Sequence, residues 1–236
     1  MSNTFPALRR FLSSSIAQGL LILLLPFSMA TLVVAGADLT RMERIAATRY
    51  GPDAAASVRD WRAMLEASIG SDDHVRLARI NNFFNRRIRF DEDTRIWQQS
   101  DFWATPLETL SRAAGDCEDF AIAKYASLML IGIPARQLRL IYVRARIGGA
   151  DSKLSQAHMV VGYFPTPEAE PLILDNLIGE VRPASRRPDL TPVFSFGSDG
   201  LWVGGSRESA ADPTARLSRW RDALQRMRAE GLDLAP

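Results

Sequence analysis

The chain has 236 residues, 47% of them hydrophobic, with 29 basic side chains, 27 acidic ones and a single cysteine. One cysteine cannot form an internal disulfide, so the fold must be stabilised by its core. Removing the two arginines of the first 37 residues leaves 27 basic against 27 acidic side chains. This near neutrality gives no support for nucleic-acid binding.

The first 37 residues predict a secretory signal peptide. Arg9 and Arg10 form a basic region, residues 16–34 a mostly apolar run, and residues 35–37 a small-residue ending. We expect cleavage after Ala37, although the apolar run is also long enough for an uncleaved membrane anchor. Both alternatives place residues 38–236 outside the cytoplasm. That remainder contains no linker or repeat, which predicts a single domain.

The segment before the cysteine predicts mainly helices. Apolar residues recur at helical spacing over 41–50, over 53–69 and after Asp72. A further short helix is expected to begin at Pro106, with a threonine as its N-cap. His74 stands beside two aspartates, and we expect it to be exposed to solvent.

The only cysteine opens an apolar run that ends at Gly132. Asp116 is the predicted N-cap of this helix, Asp119 occupies the capping-box position, and Gly132 is the predicted C-cap. Cys117 then lies in the first turn, where the helix dipole favours a thiolate. The charged neighbours favour a nucleophile over the alternative, a buried structural cysteine.

The acidic neighbours complicate this interpretation. Asp116, Glu118 and Asp119 surround the thiol with like charge, which raises a thiol pKa. A catalytic site therefore needs either basic side chains or a hard cation such as Ca²⁺, bound through carboxylate oxygens, to neutralise them. These residues lack the regular ligand spacing of a dedicated calcium loop, so the pattern leaves both alternatives open.

After Gly132 the hydrophobic period changes from helical to alternating. Residues 138–147, 156–164 and 171–175 predict three antiparallel strands. If the second hairpin is centred between Thr166 and Pro167, His158 pairs with Asp175 on the same face, with Cβ atoms roughly 5 Å apart. The sequence therefore predicts an imidazole–carboxylate pair.

Cysteine, histidine and aspartate together predict acyl-transfer chemistry. Cys117 would attack a carbonyl carbon, His158 would accept the thiol proton, and Asp175 would fix the imidazole tautomer. Backbone N–H groups at the start of the cysteine helix would stabilise the oxyanion. Trp103 either lines this pocket or serves only in packing.

The remaining chain predicts short strands near 193–196 and 201–203 and a tail helix that begins at Pro213. One face of this helix carries four arginines. We expect that face to be solvated, with docking to an acidic partner or a membrane surface as the alternative.

Four stretches together resemble the bacterial transglutaminase-like cysteine proteinases of the LapG type. They are Asp101-Phe102-Trp103-Ala104-Thr105-Pro106, Gly115-Asp116-Cys117-Glu118-Asp119-Phe120-Ala121-Ile122-Ala123-Lys124-Tyr125, Gln156-Ala157-His158-Met159 and Leu174-Asp175-Asn176-Leu177. The resemblance implies an α+β fold with a papain/transglutaminase-like core, in which N-terminal helices pack on an antiparallel sheet. By position, Cys117, His158 and Asp175 match the family's catalytic triad, and Asp116 and Glu118 match its calcium-associated acids.

The resemblance also implies a function, a cofactor and partners. It describes a periplasmic, Ca²⁺-dependent endopeptidase that cuts a large surface adhesin near its N-terminus at an Ala-Ala site and so promotes biofilm dispersal. The implied partner is the periplasmic domain of an inner-membrane cyclic-di-GMP receptor. Two alternatives stay open at this point: a transglutaminase-like acyltransferase using the same three residues, and a binding domain without catalysis.

Overall fold

The computed structural model describes residues 37–149, 152–203 and 209–234, which belong to one compact unit. The predicted leader lies outside these ranges, apart from Ala37, and stays a prediction. None of the helices in the described ranges has both the length and the apolar character needed to cross a membrane.

Eight α-helices are present in the described residues. They are α1 (Leu39–Tyr50), α2 (Pro52–Ser68), α3 (Asp73–Arg87), α4 (Asp93–Ile96), α5 (Pro106–Arg112), α6 (Cys117–Leu130), α7 (Pro213–Arg216) and α8 (Ser218–Glu230). The predicted single tail helix is therefore wrong in one respect, because the chain becomes extended at Leu217 and separates α7 from α8. His74 is exposed on α3, as predicted.

The described strands form two sheets. They are β1 (Arg89–Phe90), β2 (Ala114–Gly115), β3 (Leu138–Arg146), β4 (Ser155–Tyr163), β5 (Leu172–Leu174), β6 (Arg182–Pro183), β7 (Leu190–Phe196) and β8 (Leu201–Val203). The large sheet has the order β6-β5-β4-β3-β7-β8, and all its pairs are antiparallel. Helices precede an antiparallel sheet, which confirms the predicted α+β class.

The core lies between the helices and one face of the large sheet. α6 is buried along most of its length and packs on β4, α3 and α5. Trp61 of α2 donates its indole N–H to Ser127 of α6 at 2.9 Å, which satisfies a polar group inside this core. α6 thus holds its first residue, Cys117, in a fixed place against the sheet.

Local signals set the ends of α5 and α6. Thr105 and Glu108 form a complete capping box at the start of α5. Asp116 occupies the N-cap position of α6 as predicted, but its side chain makes no capping hydrogen bond. Gly132, with φ of 91°, lies one residue beyond the cap residue Ile131, and the amides of Gly132 and Ile133 return to Met129 and Leu128 in a Schellman motif.

The hairpin between β4 and β5 differs from its predicted register. The observed pairs are Val161 with Leu174, Gly162 with Ile173 and Tyr163 with Leu172. The predicted pairing of His158 with Asp175 is therefore wrong by two residues. The reason is the turn, in which the amide of Ala169 bonds to the carbonyl of Thr166 and moves the centre one residue along the chain.

A shift of two residues preserves the face of every side chain, whereas a shift of one would reverse it. His158 and Asp175 therefore still lie on the same face and meet diagonally across the hairpin.

Two short strands position the segment before the cysteine. β1 and β2 pair in parallel, and the amide of Asp91 continues the pairing by bonding to the carbonyl of Gly115 at 3.0 Å. This pairing places the start of α4 beside the start of α6, although about 25 residues separate them in sequence.

Candidate active site

A cleft of about 310 Å³ is open at the start of α6, next to β3 and β4. Cys117 and His158 both line it, together with Trp103 and Tyr142. Trp103 is also buried and stacks on Phe196 with ring centroids 5.5 Å apart. Both roles considered for this tryptophan are thus present: it lines the pocket and it packs in the core.

Cys117 is half-buried, and its thiol donates a hydrogen bond to Glu118 Oε2 at 2.9 Å. Burial raises the pKa of the Cys117 thiol, and the negative charges of Glu118 and Asp116 raise it further. The backbone N–H of Met159 acts in the opposite direction but is the smaller influence. The predicted conflict between a nucleophilic thiol and its acidic neighbours is therefore present in the structure.

His158 and Asp175 form a buried pair. His158 Nε2 lies 2.8 Å from Asp175 Oδ1, and both residues are 2% exposed. His158 belongs to β4, and Asp175 follows the last residue of β5. Because Nε2 contacts the carboxylate, Nδ1 is the ring nitrogen that could accept a proton from a thiol.

Asp175 is held by more than the histidine. The amide of Leu177 donates to Oδ1 at 3.0 Å, and Arg187 donates to Oδ2 at 2.7 Å. Burial alone would raise the pKa of Asp175, but the hydrogen bond and charge of His158, with the donors of Leu177 and Arg187, outweigh it and lower the pKa to about 2. Asp175 is therefore ionised at neutral pH and can only accept hydrogen bonds.

Arg187 was not predicted from the sequence. It lies beyond β6 in a proline-rich loop, 12 residues after Asp175, and no pattern links the two. Only the buried hydrogen bond identifies it.

The acidic residues near the thiol form a larger group than the sequence indicated. Besides Asp116, Glu118 and Asp119, which the sequence already placed around the thiol, the group contains Asp93 and Asp101. In each of two overlapping sets, Asp93 with Asp116 and Asp119, and Asp93 with Asp101 and Glu118, the carboxylate oxygens lie within 4.8 Å of one another. We call these five residues the acidic cluster.

Two of the acidic cluster residues could have drawn attention in the sequence. Asp93 belongs to an acidic turn, and Asp101 opens the Asp-Phe-Trp segment. Their proximity to Asp116 depends on the parallel β1–β2 pairing. That pairing cannot be predicted from the sequence, because each strand has only two residues. Asp119 was predicted in the capping-box role, and its Oδ1 instead accepts the amide of Ala104 at 2.7 Å.

The acidic cluster fits a hard cation. Oxygen atoms of Asp93, Asp116 and Asp119 are buried without a hydrogen-bond partner. Burial and then the neighbouring carboxylates raise the pKa of Asp116 to about 10, and burial raises the pKa of Asp93 to about 6. Carboxylate oxygens that lack donors and repel one another are the ligands that Ca²⁺ binds.

The comparisons with known proteins agree with this arrangement. The profile of a family described as bacterial transglutaminase-like cysteine proteinases (BTLCP) matches residues 53–188, more than half of the chain. That range contains Cys117, His158, Asp175, Asp116 and Glu118. No curated protein matches the chain.

Two solved structures of LapG from Legionella pneumophila are similar in fold and sequence. An EGTA-treated form is 35% identical, with a TM-score of 0.70, and the match covers 80% of this chain and 97% of that one. A calcium-bound form is 36% identical, with a TM-score of 0.69, and the match covers 80% and 98%. The chain therefore belongs to the bacterial transglutaminase-like cysteine proteinases of the LapG type and has their α+β core.

Proposed function

We propose that this protein is a calcium-dependent cysteine endopeptidase that acts in the periplasm on a large surface adhesin. The observation that carries the proposal is a half-buried thiol at a helix start, on the same cleft as a buried imidazole–carboxylate pair. The family match supports peptide hydrolysis, and the predicted leader supports export.

The three residues have distinct roles in this proposal. Nδ1 of His158 accepts the thiol proton, the Cys117 sulfur attacks the scissile carbonyl carbon, and His158 then protonates the leaving amine. Asp175 keeps the other imidazole proton on Nε2, facing its carboxylate. Because the Asp116 side chain makes no capping hydrogen bond, N–H groups of the first turn of α6 are available to the oxyanion.

The acidic cluster would hold Ca²⁺, with Asp116 and Glu118 next to the thiol and Asp93, Asp101 and Asp119 beyond them. The ion supplies positive charge that offsets the carboxylates around the thiol. If Glu118 were a ligand of the cation, its Oε2 would no longer depend on the Cys117 thiol as a hydrogen-bond donor. The calcium-bound form of the similar LapG supports this choice of ion.

The substrate and the regulatory partner follow from the resemblance. The substrate is an adhesin with an Ala-Ala site near its N-terminus, and cleavage releases the adhesin and promotes biofilm dispersal. The partner is the periplasmic domain of an inner-membrane cyclic-di-GMP receptor, which sequesters the protease while the nucleotide is bound in the cytoplasm.

The test is cleavage of an adhesin N-terminal fragment by purified protein, with Ca²⁺ or with EGTA, in the presence and absence of a primary amine. We expect cleavage at Ala-Ala with Ca²⁺, no cleavage with EGTA, and recovery when Ca²⁺ is restored. Cys117→Ala should abolish cleavage, whereas His74→Ala, a change at the exposed histidine, should not.

Two outcomes would contradict the proposal. Incorporation of the amine without cleavage would identify an acyltransferase. Full activity in Cys117→Ala would remove the sulfur from the mechanism altogether. Mass spectrometry of the mature N-terminus tests the predicted export separately.

A further inference from the structure

Asp175 is surrounded by a set of donors of which the histidine is only one. Arg187 is 4% exposed, and its side chain donates to Oδ2 of Asp175 at 2.7 Å. Nε and the same terminal nitrogen of Arg187 also donate to Asp189, at 3.0 and 2.8 Å. The chain Asp189–Arg187–Asp175–His158 is thus a continuous line of hydrogen bonds that ends at the imidazole.

The two oxygens of Asp175 accept hydrogen bonds from different donors. Oδ1 accepts from His158 and from the amide of Leu177, and Oδ2 accepts from Arg187. A carboxylate without a proton can only accept, so Nε2 of His158 must be the nitrogen that donates. The tautomer of His158 is therefore determined by the state of Asp175.

Removal of the arginine would change that state. Oδ2 would be a buried charged oxygen without a donor, a costly arrangement that a carboxyl group relieves by taking up a proton. The proton would enter on the vacated Oδ2, and a half-turn of the carboxyl group would bring its O–H to the position of Oδ1, opposite Nε2. The carboxyl would then donate to Nε2, and the imidazole proton would move from Nε2 to Nδ1. Nδ1 could then no longer accept the proton of the Cys117 thiol, and the general base would be lost.

We propose that Arg187 is a positioning residue of the active site: by donating to Oδ2 it makes Asp175 a pure acceptor and so keeps the His158 proton on Nε2. Arg187 is not among the residues that line the cleft, so its effect on the chemistry would pass through Asp175. The kinetic part of this inference rests on the proposed function, whereas the tautomer part does not.

The kinetic test compares Arg187→Met, Arg187→Lys and the matched control Arg186→Met, which changes the exposed neighbouring arginine. With Ca²⁺ present we expect Arg187→Met to lower kcat about 10- to 100-fold, less than the ~10⁴-fold that a wrong tautomer causes in a serine protease triad. KM should stay within about twofold, since Arg187 does not line the cleft. Arg187→Lys should recover part of kcat because it restores a charged donor, and Arg186→Met should be unchanged.

The structural test needs no substrate. Long-range ¹H–¹⁵N NMR of the imidazole nitrogens reports which nitrogen carries the proton, and the chain contains only two histidines, His158 and the exposed His74. At neutral pH we expect the Nε2–H tautomer of His158 in the wild type and in Arg186→Met. In Arg187→Met a substantial share should move to Nδ1–H, and Arg187→Lys should lie between them. If Arg187→Met does not fold, the comparison of Arg187→Lys with the wild type carries both tests.

The outcomes separate this inference from the proposed function. A wild type that cuts no adhesin but shows the Arg187-dependent tautomer change overturns the function and leaves the positioning role. Unchanged tautomers in both Arg187 variants overturn the positioning role even if the protein is a protease. A kcat loss that merely follows the loss of folded protein would also overturn it.

Discussion

The thiol of Cys117 donates to Glu118, a residue whose charge opposes thiolate formation. The sulfur is thus held protonated by the neighbour that the sequence places next to it. The same glutamate is a ligand candidate in the acidic cluster, so in the proposed mechanism one side chain would connect the nucleophile to the cation. In that mechanism the metal and the nucleophile are not independent.

Glu118→Gln tests this connection. Without Ca²⁺ the variant removes a negative charge but keeps the shape of the side chain, so the pKa of Cys117 should fall. We expect alkylation of Cys117 by iodoacetamide in EGTA to be roughly tenfold faster than in the wild type, equivalent to one pKa unit.

Glu92→Gln is the matched control, because Glu92 lines the same cleft but is exposed. Its alkylation rate should equal that of the wild type. Saturating Ca²⁺ should reduce the difference between the wild type and Glu118→Gln. Equal rates for both in EGTA would contradict the electrostatic account.

At the residue scale the sequence predicted the placement of the nucleophile, imidazole and carboxylate better than their surroundings. Cys117, His158 and Asp175 could be selected because each belongs to a scarce residue type or to a recognisable alternating pattern. The contact of Arg187 with Asp175 and the place of Asp93 in the acidic cluster could not be predicted, since both depend on contacts between distant segments. The catalytic roles themselves stay predictions.

At the scale of elements, the C-terminal helix α8 is attached to the segment that precedes α5. Arg226 donates to the carbonyl of Trp103 at 2.6 Å and pairs with Glu108 of the capping box. The predicted solvated arginine face is therefore wrong for this residue. The contact fixes one end of the loop that carries Asp101 and Trp103.

Arg226→Met is expected to lower the free energy of unfolding by about 1.5–3 kcal/mol, the usual range for hydrogen bonds to charged groups. Urea unfolding measures this change. Arg221→Met is the control, because Arg221 is mostly exposed and lies 3.7 Å from Asp222. A surface change of this kind should stay within about 0.5 kcal/mol. Equal effects in the two variants would show that the Arg226 contacts contribute nothing.

Gly115 of β2 lies close against Asp119 of α6. A Cβ atom at this position would lie 2.7 Å from Cβ and 2.8 Å from Oδ2 of Asp119. Gly115→Ala should therefore displace Asp119, lower the free energy of unfolding by about 1–3 kcal/mol and weaken Ca²⁺ binding.

Calcium titration and urea unfolding test both effects of Gly115→Ala. Gly179→Ala is the control, since a Cβ there meets no atom within 4 Å. If Gly115→Ala binds Ca²⁺ as tightly as the wild type, the prediction that Ca²⁺ binding requires Asp119 in its present position is wrong.

Elements were predicted more accurately than their pairing. Apolar period, capping residues and turns are local, and they gave the longer helices and strands to within a few residues. The short elements α4, β1, β2 and β6 were not predicted. The β4–β5 register was wrong by two residues because it depends on which residue begins the Thr166–Ala169 turn. The β1–β2 pairing and the order of the large sheet depend on contacts that no single segment encodes.

At the scale of the whole molecule, Asp175 and the acidic cluster make the free energy of unfolding depend on pH in opposite directions. The pKa of Asp175 is lowered to about 2, so its contribution is present above pH ~4, the unfolded value, and is lost as the pH falls toward 2. The pKa of Asp93 is raised to about 6 and that of Asp116 to about 10. The folded protein therefore keeps these two protons up to a higher pH than the unfolded chain does. Their ionisation therefore destabilises the fold as the pH rises above ~4.

We expect the stability of the chelated protein to fall from pH ~4, with the Asp93 part complete near pH 6 and the Asp116 part continuing toward pH 10. The fall between pH ~4 and ~6 should be smaller in Asp93→Asn. Ca²⁺ should reverse the trend by binding the ionised carboxylates, and at 100 times its Kd it should add about 2.7 kcal/mol at neutral pH. Thermal unfolding with EGTA and with Ca²⁺ over this pH range measures both effects. Identical pH profiles for the wild type and Asp93→Asn would contradict the assignment of Asp93.

The single sulfhydryl of this chain has a practical consequence. Any thiol-directed fluorophore, spin label or cross-linker would attach at the start of α6, in the proposed active site, without prior mutagenesis. A label of defined length on Cys117 would also measure how much room the 310 Å³ cleft leaves when a binding partner covers it.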